Sequence, residues 1–205
     1  MRTPLAVVWV IAVLAIAVST ARAQSAEPPR FSVGDTWVRS NGITLTVTRV
    51  SDSDATIRGF YAAACPDCLV TVDRDFKPVA VTDGEGQALG AARLRGLPLG
   101  RNWTLFDWPL RAGKAWTTSG RLANRAGTPL DVTVRVSVLA FEDVATKAGT
   151  FKAYRVEQAW QTVSSEGTDR WISTFWYAPE AKALVKFEPS DSRQVAWELV
   201  SYSLK

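Results

Sequence analysis

Leu130, Val132, Val134, Val136 and Val138 alternate with Asp131, Thr133, Arg135 and Ser137. A period of two carried by β-branched residues commits this stretch to a strand with one buried and one wet face. The pattern recurs at 43–49, where Ile43, Leu45 and Val47 take one side and Thr44, Thr46 and Thr48 the other. Ser51-Asp-Ser-Asp54 then supplies turn chemistry into a second extended run at 56–61, which predicts a hairpin. Further strands are expected at 69–75, 78–82, 103–107, 114–120, 151–162, 169–177, 183–187 and 195–204. Gly-, Asp- and Ser-bearing turns at 83–86, 126–129, 148–149, 164–167 and 188–191 separate them.

Many short strands joined by hairpin-like turns, without crossover helices, predict an all-β fold. The expected architecture is an antiparallel meander forming an open or closed barrel, or a sandwich, with little helix. Residues 87–95 offer one short helix, interrupted by Gly90. The segment 84–101, rich in Gly and Arg, is the longest irregular connection and is expected to be a mobile loop. In 171–177 both faces are apolar: Trp171 and Phe175 share one, Ile172 and Trp176 the other. That suits a central strand of a curved sheet, or an open barrel whose inner wall holds something apolar.

The N-terminus reads as an export signal. Arg2 precedes an apolar run over 5–18, and Ala21-Arg22-Ala23 presents an Ala-x-Ala cleavage pattern before Gln24. An uncleaved anchor is the alternative, although the run is short of the roughly 20 residues a membrane helix needs. Without a cysteine at the cleavage point or a twin-arginine pair, general secretion to the periplasm or the medium is expected. Losing Arg2 and Arg22 takes 24 basic residues to 22 against 20 acidic ones, a net charge of +2. Such a balance steers toward neither nucleic acid nor an anionic membrane. The expected organisation is a leader 1–23, a disordered lead 24–30 and a single β-rich domain 31–205, with no stable transmembrane segment once the leader is removed.

The chain contains no histidine. This excludes Ser-His-Asp and Cys-His catalysis, histidine proton shuttles and His-containing zinc sites. Two cysteines cannot complete a four-ligand structural zinc site, and no phosphate-binding glycine fingerprint occurs. No metal or cofactor is expected. Asp107, Glu157, Glu188 and Glu198 are the carboxylates an acid/base pair would draw on, but nothing in their spacing brings two together.

Cys65 and Cys68 form the only Cys-Pro-Asp-Cys. A redox Cys-x-x-Cys needs its first thiolate at a helix N-terminus, where the dipole lowers the thiol pKa. Here Cys68 runs directly into Leu69-Val-Thr-Val-Asp73, which alternates like a strand. The pair is therefore expected to be a structural disulfide across a turn, with a thiol-disulfide oxidoreductase as the alternative.

Eight tryptophans remain after the leader. Most are expected in the core of a β domain, but Trp103 and Trp108 flank the longest loop and bracket Phe106 and Asp107. Trp103, Phe106, Asp107 and Trp108 are the candidate ligand-binding residues.

Phe31-Ser-Val-Gly-Asp-Thr-Trp37, Trp108-Pro-Leu-Arg-Ala-Gly-Lys-Ala-Trp116, Ala148-Gly-Thr-Phe-Lys-Ala-Tyr-Arg-Val156 and Phe175-Trp-Tyr-Ala-Pro-Glu180 span most of the chain in order. This succession resembles poorly characterised bacterial secreted or periplasmic β domains. The resemblance implies an open barrel loosely like the periplasmic lipoprotein carriers, and it transfers no catalytic residue. The functional expectation is an exported, non-catalytic binding or envelope-associated accessory protein, whose partner is an apolar ligand or an envelope protein. A purely structural envelope protein is the remaining alternative.

Overall fold

Eleven strands follow one another in the computed structural model, which describes residues 24–61, 65–100, 103–124 and 126–205. The expected leader lies outside the described residues. The strands are β1 (Thr36–Arg39), β2 (Thr44–Val50), β3 (Asp54–Arg58), β4 (Leu69–Asp73), β5 (Pro78–Thr82), β6 (Ala115–Ala123), β7 (Pro129–Thr146), β8 (Gly149–Ser164), β9 (Gly167–Ala178), β10 (Ala183–Pro189) and β11 (Trp197–Ser203). All pair antiparallel in one sheet, in the order β5-β4-β3-β2-β1-β11-β10-β9-β8-β7-β6. Two meanders are thus sewn together by their first and last strands, with Trp37 opposite Tyr202 and Thr36 opposite Ser203. The sheet does not close. Its two edges, β5 and β6, are consecutive in the chain and are joined by the long segment 83–114.

A bulge at Leu139 explains how one sheet serves two cores. Val132, Val134, Val136 and Val138 are buried and face Tyr154 and Val156 of β8 and Tyr177 of β9. The ladder then slips between Val138 and Ala140, and Leu139 is left 45% exposed. One extra residue inverts the alternation, because the side-chain period is two. Beyond the bulge the even-numbered residues point to the opposite face. There Val144 joins Phe151, Ala153, Trp176 and Ala178 in a second cluster with Trp37, Val47, Ile57, Val70, Val72, Val185 and Leu199. The doubly apolar β9 follows directly: Trp176 and Tyr177 are neighbours in the chain and belong to different cores.

Three stretches depart from expectation. Residues 103–107 are not a strand: the Thr104 N–H donates to Thr118 Oγ1 at 3.2 Å, and Trp116 Nε1 donates to the Thr104 carbonyl at 2.7 Å. At Thr104 the backbone is satisfied by β6 side chains, and the buried residues Trp103 and Phe106 are three apart, a spacing no strand produces. The lead 24–30, expected to be disordered, is laid against the segment before β6. Ala26 and Leu110 exchange backbone hydrogen bonds of 3.0 and 2.8 Å, and both are buried. The expected short helix reduces to one 3-10 turn over Ala91–Leu94. The connection expected to be mobile is tied to the edge strand β5 and to the β3–β4 connection. Gly100 N–H donates to Pro78 O, Tyr61 Oη to Pro98 O, and Arg93 Nη2 to Cys65 Sγ.

Candidate functional site

A cavity of about 240 Å³ lies where both meanders and the 83–114 segment meet. One side of its wall is a cross-strand row. Val138, Val156, Phe175, Phe187 and Trp197 stand opposite one another in register from β7 to β11. Such directly opposed apolar pairs are the units that stabilise a sheet. Phe175 and Phe187 stack at 4.7 Å between ring centroids, and Phe187 and Trp197 lie 6.0 Å apart. Phe175, Phe187 and Trp197 line the cavity.

The opposite side comes from loops. Phe76 sits in the β4–β5 turn at φ +62°, a backbone region that bulky residues seldom occupy. The Asp73 side chain holds that turn, accepting from Asp75 N–H at 3.0 Å and Lys77 N–H at 2.9 Å. The conformation brings the Phe76 ring against Phe31, Phe60 and Phe106, at centroid distances of 5.6 to 6.1 Å. Trp103, only 4% exposed, covers Gly120 of β6 so closely that a Cβ there would lie 2.7 Å from its ring. Gln158, buried in β8, donates Nε2–H to the Leu105 carbonyl at 3.1 Å and fixes the loop to the sheet.

The polar lining is sparse and, among the described residues, carries no carboxylate. It consists of Arg39, Lys77, Lys182, Gln158 and Tyr61. Lys182 is committed to Asp35 at 3.0 Å, a carboxylate with no exposed surface that also accepts from the backbone N–H groups of Ser32 and Lys205. Lys77 lies 3.9 Å from Asp75. Arg39 is different. It shares the inner face of β1 with Trp37, two residues earlier, and its guanidinium carbon lies 3.8 Å from the centroid of the Trp197 ring. Among the described residues no carboxylate or other acceptor is paired with that guanidinium. It lines the cavity, and the surrounding protein desolvates it enough to pull its pKa down to about 9. Burial likewise pushes the Tyr61 and Tyr177 phenols up.

Of the four residues expected to bind ligand, the structure brings Trp103 and Phe106 to the cavity and turns Asp107 and Trp108 elsewhere. Asp107 pairs with Lys114 at 2.9 Å. Trp108 packs edge-on against Tyr177 at 5.0 Å and donates Nε1–H to the Asp75 carbonyl at 2.9 Å. Sequence reasoning missed Arg39, although its spacing from Trp37 places both on one face of a strand. It also missed Phe31 and Phe76, whose approach depends on turn geometry that no periodicity reports. The other carboxylates are dispersed: Glu188 pairs with Lys186 at 2.7 Å, and Glu198 lies 3.9 Å from Lys147.

Cys65 and Cys68 are joined by a disulfide, with Cα atoms 5.4 Å apart, in the connection from β3 to β4. The two residues are 3% and 1% exposed and pack in the larger core, while Pro66 and Asp67 form the exposed turn. Cys68 leads into a strand, so no helix dipole acts on either sulfur.

No protein-family model matches the chain, and no curated protein matches it. Solved structures similar to it include a candidate lipoprotein from Parabacteroides distasonis ATCC 8503. That pair shares 15% identity at a TM-score of 0.47, over 88% of this chain and all of that one. A candidate exported protein with a YmcC-like fold from Bacteroides fragilis NCTC 9343 gives 14% identity and a TM-score of 0.45, over 87% and 99% of the two chains. The hypothetical lipoprotein YmcC of Escherichia coli K12 gives 10% identity and 0.42, over 87% and 88%.

Proposed function

We propose that this chain is an exported, envelope-associated binding protein without catalytic activity, which holds an apolar ligand in the cavity between its two meanders. The observation that carries this reading is a space of about 240 Å³ walled by aromatic side chains from four strands, three loops and the segment before β1. A dry engineered cavity of about 150 Å³ accepts benzene, and drug-sized ligands occupy about 300–1,000 Å³. The volume therefore suits one short acyl chain or one ring system, and not a two-chain lipid enclosed whole.

The polar groups at the cavity argue against chemistry there. Two lysines are turned to carboxylates outside the lining, Gln158 is bound to backbone, and no nucleophile stands beside a base. The oxidoreductase alternative is disfavoured by the burial of both sulfurs, since thiol exchange requires access for an attacking thiolate.

Titration of the mature protein with the neutral fluorophore N-phenyl-1-naphthylamine tests the reading. One equivalent should bind with enhanced fluorescence, and Ala183→Phe, which adds a ring at the cavity wall, should abolish the signal. A parent protein that leaves the probe dark would refute it.

A further inference from the structure

Arg39 is the group that the apolar reading does not use. A charge removed from water in an apolar site costs free energy unless it is paired. Arg39 meets that demand only through the face of its guanidinium, which stacks on Trp197. The five N–H donors lie in the guanidinium plane, and stacking leaves them free to meet an acceptor. A guanidinium also does not shed its proton near neutrality to escape the cost. Among the described residues the other two cations at the cavity, Lys77 and Lys182, each have an aspartate, and no carboxylate lines the space. The cavity thus combines a long apolar wall with one cation lacking an anionic partner among the described residues.

We propose that the ligand is an amphiphile with a single oxyanionic head, a carboxylate or a phosphate monoester, which pairs with Arg39 while its apolar tail fills the aromatic cavity. This rests on the binding function proposed above and specifies the class of ligand. Both heads offer two oxygens to the guanidinium fork, so the shared chemistry is bidentate recognition of an oxyanion. The tail contacts Phe187 and Phe175, which continue the wall from Trp197, and Phe76 and Phe106 of the loops.

The test is calorimetric titration of the mature protein with decanoate, decyl phosphate, decanol and decyltrimethylammonium, each below its micelle concentration. A hydrogen-bonded charge pair contributes about 1.5–3 kcal/mol, so one or both anions should bind at least about tenfold more tightly than decanol. Whichever anion is preferred identifies the head. In Arg39→Gln the anions should fall to within about threefold of decanol, with decanol itself unchanged. Equal binding of decanoate, decyl phosphate and decanol to the parent protein would overturn the inference while leaving the apolar binding function standing. Binding of none of the four would remove both. Should Arg39→Gln not fold, the comparison among the four ligands on the parent protein decides alone.

Discussion

The Arg39 guanidinium carbon lies 3.8 Å from the centroid of the Trp197 ring, and the two residues sit on the paired first and last strands of the sheet. This contact ties the seam between the two meanders to the cavity. It also makes this cation part of the fold, because Trp197 continues into the aromatic row through Phe187 and Phe175.

Keeping a desolvated cation without a partner among the described residues should reduce stability in the absence of ligand. Arg39 is only partly buried, so removing its charge relieves part of the about 1–3 kcal/mol or more that an unsatisfied group costs, and the lost cation–π contact offsets about 0.5–2 kcal/mol. Arg39→Met is therefore expected to raise the urea midpoint of the ligand-free protein, by about 1 kcal/mol of unfolding free energy. A drop of similar size would show that Arg39 is satisfied in the empty protein.

Gly120 gives a second prediction. A methyl group added there meets Trp103 at 2.7 Å, and the ring is enclosed. Gly120→Ala should displace Trp103, at a cost of about 1–3 kcal/mol for overpacking. Near-ultraviolet circular dichroism should register the moved indole, and the naphthylamine probe should bind more weakly. An unchanged spectrum with parental stability would contradict the packing described.

The disulfide should behave as a buried staple. Closing so short a loop removes little chain entropy, and Cys65→Ser with Cys68→Ser should cost about 2 kcal/mol. In the native parent, a mild reductant followed by maleimide should label neither cysteine until denaturant is added. Rapid labelling without denaturant would restore the redox alternative.

Stability should fall at alkaline pH. Burial raises the Tyr61 and Tyr177 pKa values, so both phenols keep their protons in the native state at a pH where the unfolded chain loses them, near 10. The native state then binds more protons than the unfolded one, and unfolding becomes easier as pH climbs. This contribution is intact below about pH 10 and is lost above it. Urea midpoints between pH 8 and 11, taken in an Arg39→Gln background to remove the guanidinium's own linkage, should fall less steeply in Tyr61→Phe and Tyr177→Phe. Parallel curves would contradict the assignment.

The strand pattern made most of the sheet legible, because Val132–Val138 and Leu45–Val47 alternate over lengths that admit only one period. What alternation could not report was the Leu139 bulge. No residue type marks it, yet it exchanges the two faces of β7 and sends Val144 to a different core from Val138. The cavity was half legible. Trp103 and Phe106 stood out by composition, whereas Asp107 and Trp108 were drawn away by partners distant in the chain, or reached only by a turn, at Asp75 and Lys114. Arg39 carries no signal of its own in the sequence. Only the placement of Trp197, more than 150 residues later, makes it a cation in an aromatic wall.

The most direct test is the Arg39 Nε–H resonance in ¹⁵N-labelled protein, assigned by its disappearance in Arg39→Gln. With an oxyanion seated on the guanidinium, decanoate or decyl phosphate should shift it strongly at saturation. Decanol should perturb the signals of the cavity aromatics and leave the Nε–H resonance in place. A bound anion that leaves that resonance unmoved would contradict the account.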